Sequence, residues 1–184
     1  MNRTIAVVAV CLMTLCAGGS RAGESEPIQA GSSIPADLNL SVVDLQGGML
    51  DLRKMLAPQR ADARASLLVF WATWCAPCIH EIPVLRSLQD FHRDRGLRIV
   101  GVGVREGGES PERIAEAAKR HKLNYDIVFD REGQVQEAFG LIGIPWSVLI
   151  DGEGIVQWAG PALPRDIDGR IRSALKPQEE RGSR

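Results

Sequence analysis

The chain has 184 residues, 45% of them hydrophobic and 24% charged. That is enough for one domain with its own core, and too apolar for bulk disorder. Lys and Arg total 22 against 23 Asp and Glu, so the net charge of −1 gives no overall pull toward nucleic acid or an anionic membrane.

Residues 1–22 read MNRTIAVVAVCLMTLCAGGSRA. Arg3 supplies positive charge, residues 5–17 are apolar, and Ser20-Arg21-Ala22 is a small-x-small site. This is the pattern of a secretory signal peptide cut after Ala22. An uncleaved anchor is the alternative, for which the apolar run is short. Acylation at Cys16 is a third reading, disfavoured by the bulky Leu15 before it. In the body of the chain no apolar run reaches the roughly 18–20 residues of a spanning helix.

Residues 23–33 (GESEPIQAGSS) are polar and small and read as a linker. Residues 34–175 are expected to form the domain, and 176–184 a frayed polar tail. Residues 38–45 alternate, meet Gly47-Gly48, and continue into residues 49–52, a predicted β-hairpin. A short helical turn follows over 51–56. Residues 66–71 (SLLVFW) form an apolar run that fits a strand buried on both faces. Residues 76 to about 93 read as a helix, with Ile82, Leu85, Leu88 and Phe91 at helical spacing. Residues 97–104 are a second buried strand. Ser110-Pro111-Glu112 starts a helix that runs to about residue 122. A strand over 125–129, a short helix over 134–139, a hairpin (147–151 and 155–159, around Gly152-Glu153-Gly154) and a helix over 166–175 complete the chain. This order predicts a central sheet with helices on both sides.

Of four cysteines, Cys11 and Cys16 lie in the leader, so a processed chain keeps only Cys75 and Cys78. Export would permit a disulfide. A bridge that closes so short a loop constrains the unfolded chain very little, so the pair reads as chemistry rather than as a staple. It straddles a strand-to-helix junction. There the free N–H groups and the helix dipole favour a thiolate on Cys75, the attacking species. Cys78, one turn later, is placed to resolve a mixed disulfide. Pro77 stiffens the dipeptide between them. The same two thiols have other possible uses. A structural zinc site needs four ligands, and His80, His92 and His121 lack knuckle spacing. A Cu(I) carrier would add a distal histidine, with His121 as the candidate, although copper-carrier relatives space their cysteines more widely. A peroxidase would want threonine three residues before its cysteine, where Ala72 stands and Thr73 is off by one.

Residues 70–78 (FWATWCAPC) resemble the active-site stretch of thioredoxin-like proteins. Glu81-x-Pro83 narrows the resemblance to the exported TlpA/ResA-type thiol–disulfide reductases, over roughly residues 31–175. The resemblance implies a thioredoxin fold: a central mixed β-sheet flanked by helices, with an N-terminal β-hairpin and a strand-helix insertion near residues 105–125. Residues 139–145 (FGLIGIP) are similar to the family's segment ending in a cis proline. Pro145 would then lie against the cysteines, and Ile144 would offer its backbone to an extended client. Plain thioredoxins carry a buried Asp where Val69 stands. Glu81 matches the acid of this branch and is expected to take the proton of Cys78; a solvated first-turn acid is the plainer alternative. Trp74, Ala76 and Pro77 would line the docking rim, and Trp146 would narrow the groove or simply pack. The function implied is reduction of cysteine-containing exported proteins, with a membrane thiol protein as electron donor and no organic cofactor, metal or nucleic acid. A disulfide-donating oxidase and the Cu(I) carrier remain the alternatives.

Overall fold

A computed structural model describes residues 28–34 and 39–177. The expected leader, residues 23–27 of the expected linker and residues 178–184 lie outside the described residues. Seven strands form one mixed sheet: β1 (Ser41–Val43), β2 (Met49–Asp51), β3 (Ala65–Trp71), β4 (Leu97–Val104), β5 (Asp126–Asp130), β6 (Trp146–Asp151) and β7 (Val156–Pro161). Their spatial order is β2-β1-β5-β4-β3-β6-β7. The helices are α1 (Ala76–His92), α2 (Pro111–Arg120), α3 (Gln134–Ala138) and α4 (Ile167–Ala174), with a 3-10 turn over Leu52–Met55. The architecture is the expected one, hairpin and insertion included.

Strands β3, β4 and β5 are parallel, while β6 pairs β3 antiparallel. The β3–α1–β4 and β4–α2–β5 connections step the same way across the sheet. Right-handed crossovers therefore place α1 and α2 on one face, and the return through α3 puts that helix on the other. One core layer joins Leu67, Leu85, Leu88 and Ile99 to Ile167 and Ile171 of α4. The second joins Phe70, Val102 and Val148 to Val135 and Phe139 beside α3. At Gly103 a Cβ would come within 2.9 Å of Ile114, so α2 lies directly on β4. Ahead of Val100, where β5 starts to pair, the edge of β4 is finished by a side chain. Buried Gln89 donates to the Leu97 carbonyl (3.2 Å) and accepts from the Ile99 N–H (2.8 Å).

Two local expectations are corrected. Residues 28–33 of the expected linker are docked rather than linking. Ser33 bridges Ile155, Gly31 N–H donates to the Val156 carbonyl (2.8 Å), and Ile28 and Ile34 pack on the core. Ile28 inside the polar stretch and Ile34 just after it suffice as anchors. Phe91, placed by periodicity on the apolar face of α1, is 51% exposed. It takes an edge-on contact with His92 and the guanidinium of Arg95 at 4.3 Å. In its place His92 turns inward and meets Asp168 of α4 at 2.7 Å.

Candidate active site

The sheet register gathers the site at one end. β3 ends at Trp71 and β6 begins at Trp146, whose neighbour across the ladder is Phe70. The loop into Cys75 and the segment Ile144-Pro145 therefore leave the sheet side by side. β4 and β5 run parallel to β3, so their C-terminal ends deliver the 105–110 and 131–133 loops to the same edge.

Cys75 is the N-cap of α1, with extended backbone (φ −83°, ψ 92°), and it is joined to Cys78 as a disulfide. The Cys78 N–H donates to Cys75 Sγ at 3.2 Å, and the Ile79 N–H to the Cys75 carbonyl at 3.1 Å. No acidic residue occupies the first turn of α1. The positive end of the helix thus faces the sulfur with no carboxylate in that turn, which favours a thiolate there once the bond is reduced. Both cysteines are buried, while Trp74, at 48% exposure, Ala76 and Pro77 form an exposed collar around them.

The Ile144–Pro145 peptide is cis. Ile144 is half-buried, and its N–H and C=O have no hydrogen-bond partner among the described residues, so both are open to an added strand. The Pro145 carbonyl accepts from the Ala162 N–H at 3.2 Å. Trp146 is buried at 7% exposure within the core, and its indole N–H has no partner among the described residues. It packs behind the groove instead of walling it, because β6 already begins at this residue and turns the ring inward.

Glu81 lies one turn after Cys78 on the same side of α1. It is half-buried, and its Oε1 accepts the Leu163 N–H at 2.8 Å. Since Leu163 follows Ala162, this carboxylate ties the cysteine helix to the loop that braces Pro145. Burial pushes the Glu81 carboxyl above its ordinary range, against the pull of the Leu163 N–H. A carboxyl raised on folding stabilises the protein below its unfolded pKa, and that benefit is lost as pH rises through the folded value. Glu81→Gln is therefore expected to match the wild type in acid and to gain relative stability as pH rises toward neutral. Thermal unfolding across that range checks it. A difference between the two proteins that does not change with pH would contradict it.

Sequence reading passed over Glu109, whose side chain is fully buried. Its Oε2 accepts the Thr73 N–H at 2.6 Å. Its Oε1 lies 3.2 Å from Arg113 Nε and 3.3 Å from the Ser110 N–H. The available signal was an acid directly before a helix cap, Glu109-Ser110-Pro111, and nothing in it indicates a partner 36 residues away. Gly107, which with Gly108 reads from the sequence as a plain loop, has a defined place. At φ +68° it lies so close to Trp74 that a Cβ would be 2.5 Å from the indole nitrogen, which donates to the Glu106 carbonyl at 2.9 Å. His121, the candidate copper ligand, follows α2 at its C-cap. Among the described residues no three His, Cys, Asp or Glu cluster as a metal site.

Residues 35–159 match the model of the AhpC/TSA family. The thiol–disulfide oxidoreductase ResA of Bacillus subtilis is 26% identical over 179 residues, covering 97% of this chain and 93% of its own. The ResA of Geobacillus kaustophilus is 37% identical over 112 residues, 60% of this chain and 62% of its own. Among solved structures, the thioredoxin domain of a thiol–disulfide oxidoreductase from Bacteroides vulgatus superposes with a TM-score of 0.65 at 22% identity. It covers 81% of this chain and 99% of that one.

Proposed function

The chain belongs to the AhpC/TSA family, and from that premise we propose that it is an exported protein-disulfide reductase working through Cys75 and Cys78. It is a thiol–disulfide oxidoreductase with a thioredoxin fold. The observation that carries the proposal is the disulfide held at the N-terminus of α1, with Cys75 as its cap.

In the reduced protein the Cys75 thiolate attacks one sulfur of a client disulfide. A Cys75–client bond forms, the client S–S bond breaks, and the departing client thiolate takes up a proton. The Glu81 carboxylate then accepts the proton of Cys78, and the Cys78 thiolate attacks Cys75 Sγ. The Cys75–Cys78 bond closes and the second client sulfur leaves as thiolate. Two electrons have passed from the pair to the client, and a membrane dithiol protein returns them. Pro145 and the open backbone of Ile144 support binding of the client as an extended strand, while Trp74, Ala76 and Pro77 offer it an apolar collar. The clients are exported proteins bearing cysteines, such as an apocytochrome c or a copper-site protein. The leader-like residues 1–22 support a place in the periplasm or on the outer face of the cytoplasmic membrane. No helix among the described residues is long and apolar enough to cross a membrane.

Insulin reduction by the full chain, with dithiothreitol as electron source, tests the reading. The protein is expected to accelerate precipitation of the insulin B chain. Stoichiometric Cu(I) binding without any insulin reduction would instead identify a carrier.

A further inference from the structure

We propose that Glu109 is a positioning residue for the Cys75 thiol, acting through the backbone of Thr73. The inference rests on Cys75 being the attacking sulfur. The turn that delivers Cys75 is closed at one end by its own N–H, bound to the Ala72 carbonyl at 3.2 Å. The Thr73 N–H has no backbone partner there, and the Glu109 carboxylate accepts it at 2.6 Å. Arg113 extends the grip. Its Nε holds the second oxygen of Glu109 at 3.2 Å, and its Nη2 reaches the Thr73 hydroxyl at 3.4 Å. One ion pair therefore holds both the main chain and the side chain of Thr73. Trp74 is held in parallel by the Glu106 carbonyl and by its contact on Gly107. Glu106 is itself held by Gln136 Nε2 at 3.0 Å.

Both residues before Cys75 are thus held by one connection, the segment between β4 and α2. These contacts lie outside α1, whose start is set by the Cys75 cap and Pro77. What they determine is where the turn places Cys75 Sγ over the free N–H groups of that helix. A buried carboxylate keeps such a place only while its partners surround it, so the clamp is rigid where a solvated loop would not be.

The carboxylate also carries charge. A negative group behind the turn opposes a second negative charge on Cys75. Geometry and charge can be separated, because glutamine keeps one acceptor for the Thr73 N–H while giving up the charge and the Arg113 ion pair, and alanine removes the acceptor as well.

The experiment uses the reduced full chain as wild type, Glu109→Gln and Glu109→Ala. Iodoacetamide alkylation is followed against pH with the labelled cysteine identified by mass spectrometry, and the interchange rate is measured with a small disulfide. In E109Q the alkylation pKa of Cys75 is expected to fall by about half a unit or more. That makes labelling roughly threefold faster at a fixed pH below it, with interchange retained. In E109A the interchange rate is expected to drop about tenfold as the turn is released. Should E109A fail to fold, Glu109→Asp, which keeps the charge and shortens the reach to Thr73, takes its place. A wild-type Cys75 pKa and interchange rate in the variant that releases Thr73 overturn the inference, including when the melting temperature falls, since a purely structural acid would lower stability and leave both in place. Labelling of Cys78 in the wild type would instead overturn the assignment of the attacking sulfur.

Discussion

Replacing Cys75 by serine is expected to lower disulfide interchange by roughly three orders of magnitude or more, to the background of free thiol. The hydroxyl keeps the N-cap and the shape of the turn, so the fold is retained and only the nucleophile is lost. Cys78→Ser behaves differently. The first attack proceeds, no resolving thiol follows, and the mixed disulfide with the client accumulates. Non-reducing electrophoresis of each variant, incubated with a disulfide-bonded client, separates the two. Adduct from Cys75→Ser and none from Cys78→Ser would reverse the roles of the two sulfurs.

The second large effect lies in the core beneath the site. Phe139 is fully buried, and its ring centroid is 5.6 Å from that of Phe70, tilted by 54°. It caps α3, its carbonyl accepts the Ile28 N–H at 3.2 Å, and the chain leaves it toward Pro145. Phe139→Ala is expected to cost about 3–5 kcal/mol of stability, a large share of the roughly 5–15 kcal/mol that holds a domain folded. Urea unfolding of the oxidised protein measures it. A loss below about 1 kcal/mol would mean that the two rings do not form the packed centre of that layer.

Strong periodicity made most of the fold legible. Residues 97–104 became β4 at both ends of the expected range, because a strand buried on both faces is written as an apolar run, broken here only by Arg98. Residues 76–93 became α1 with one residue to spare, since the Cys75 cap and Pro77 mark its start. Ser110 caps α2 as expected and accepts the Arg113 N–H at 3.3 Å.

What escaped depended on partners distant in the chain. Glu109 stands in Arg-Glu-Gly-Gly-Glu-Ser, a stretch with every mark of a solvated loop. Its burial is decided by a backbone N–H on another strand's exit. Residues 28–33 read as linker because average polarity hides Ile28, which packs on the core, and the backbone pairing with residues 155–156. Phe91 was misplaced because periodicity gives phase only to within a residue or so near a helix end, and His92 had a carboxylate waiting on α4. At the site itself, the cysteine pair and its helix were plain from spacing. The role of the Ile144 backbone was expected from the family resemblance alone, and the tie from Glu81 to Leu163 not at all, since it depends on how two loops meet.

The reductase role turns on the direction in which electrons leave this pair. The reduction potential of Cys75–Cys78 in the full chain, by equilibration with dithiothreitol or glutathione buffers, tests it most directly. A value near that of thioredoxin, about −270 mV, is predicted for a reductase fed by a dedicated dithiol donor. A value near the oxidising extreme, about −120 mV, would contradict the account and make the protein a donor of disulfides.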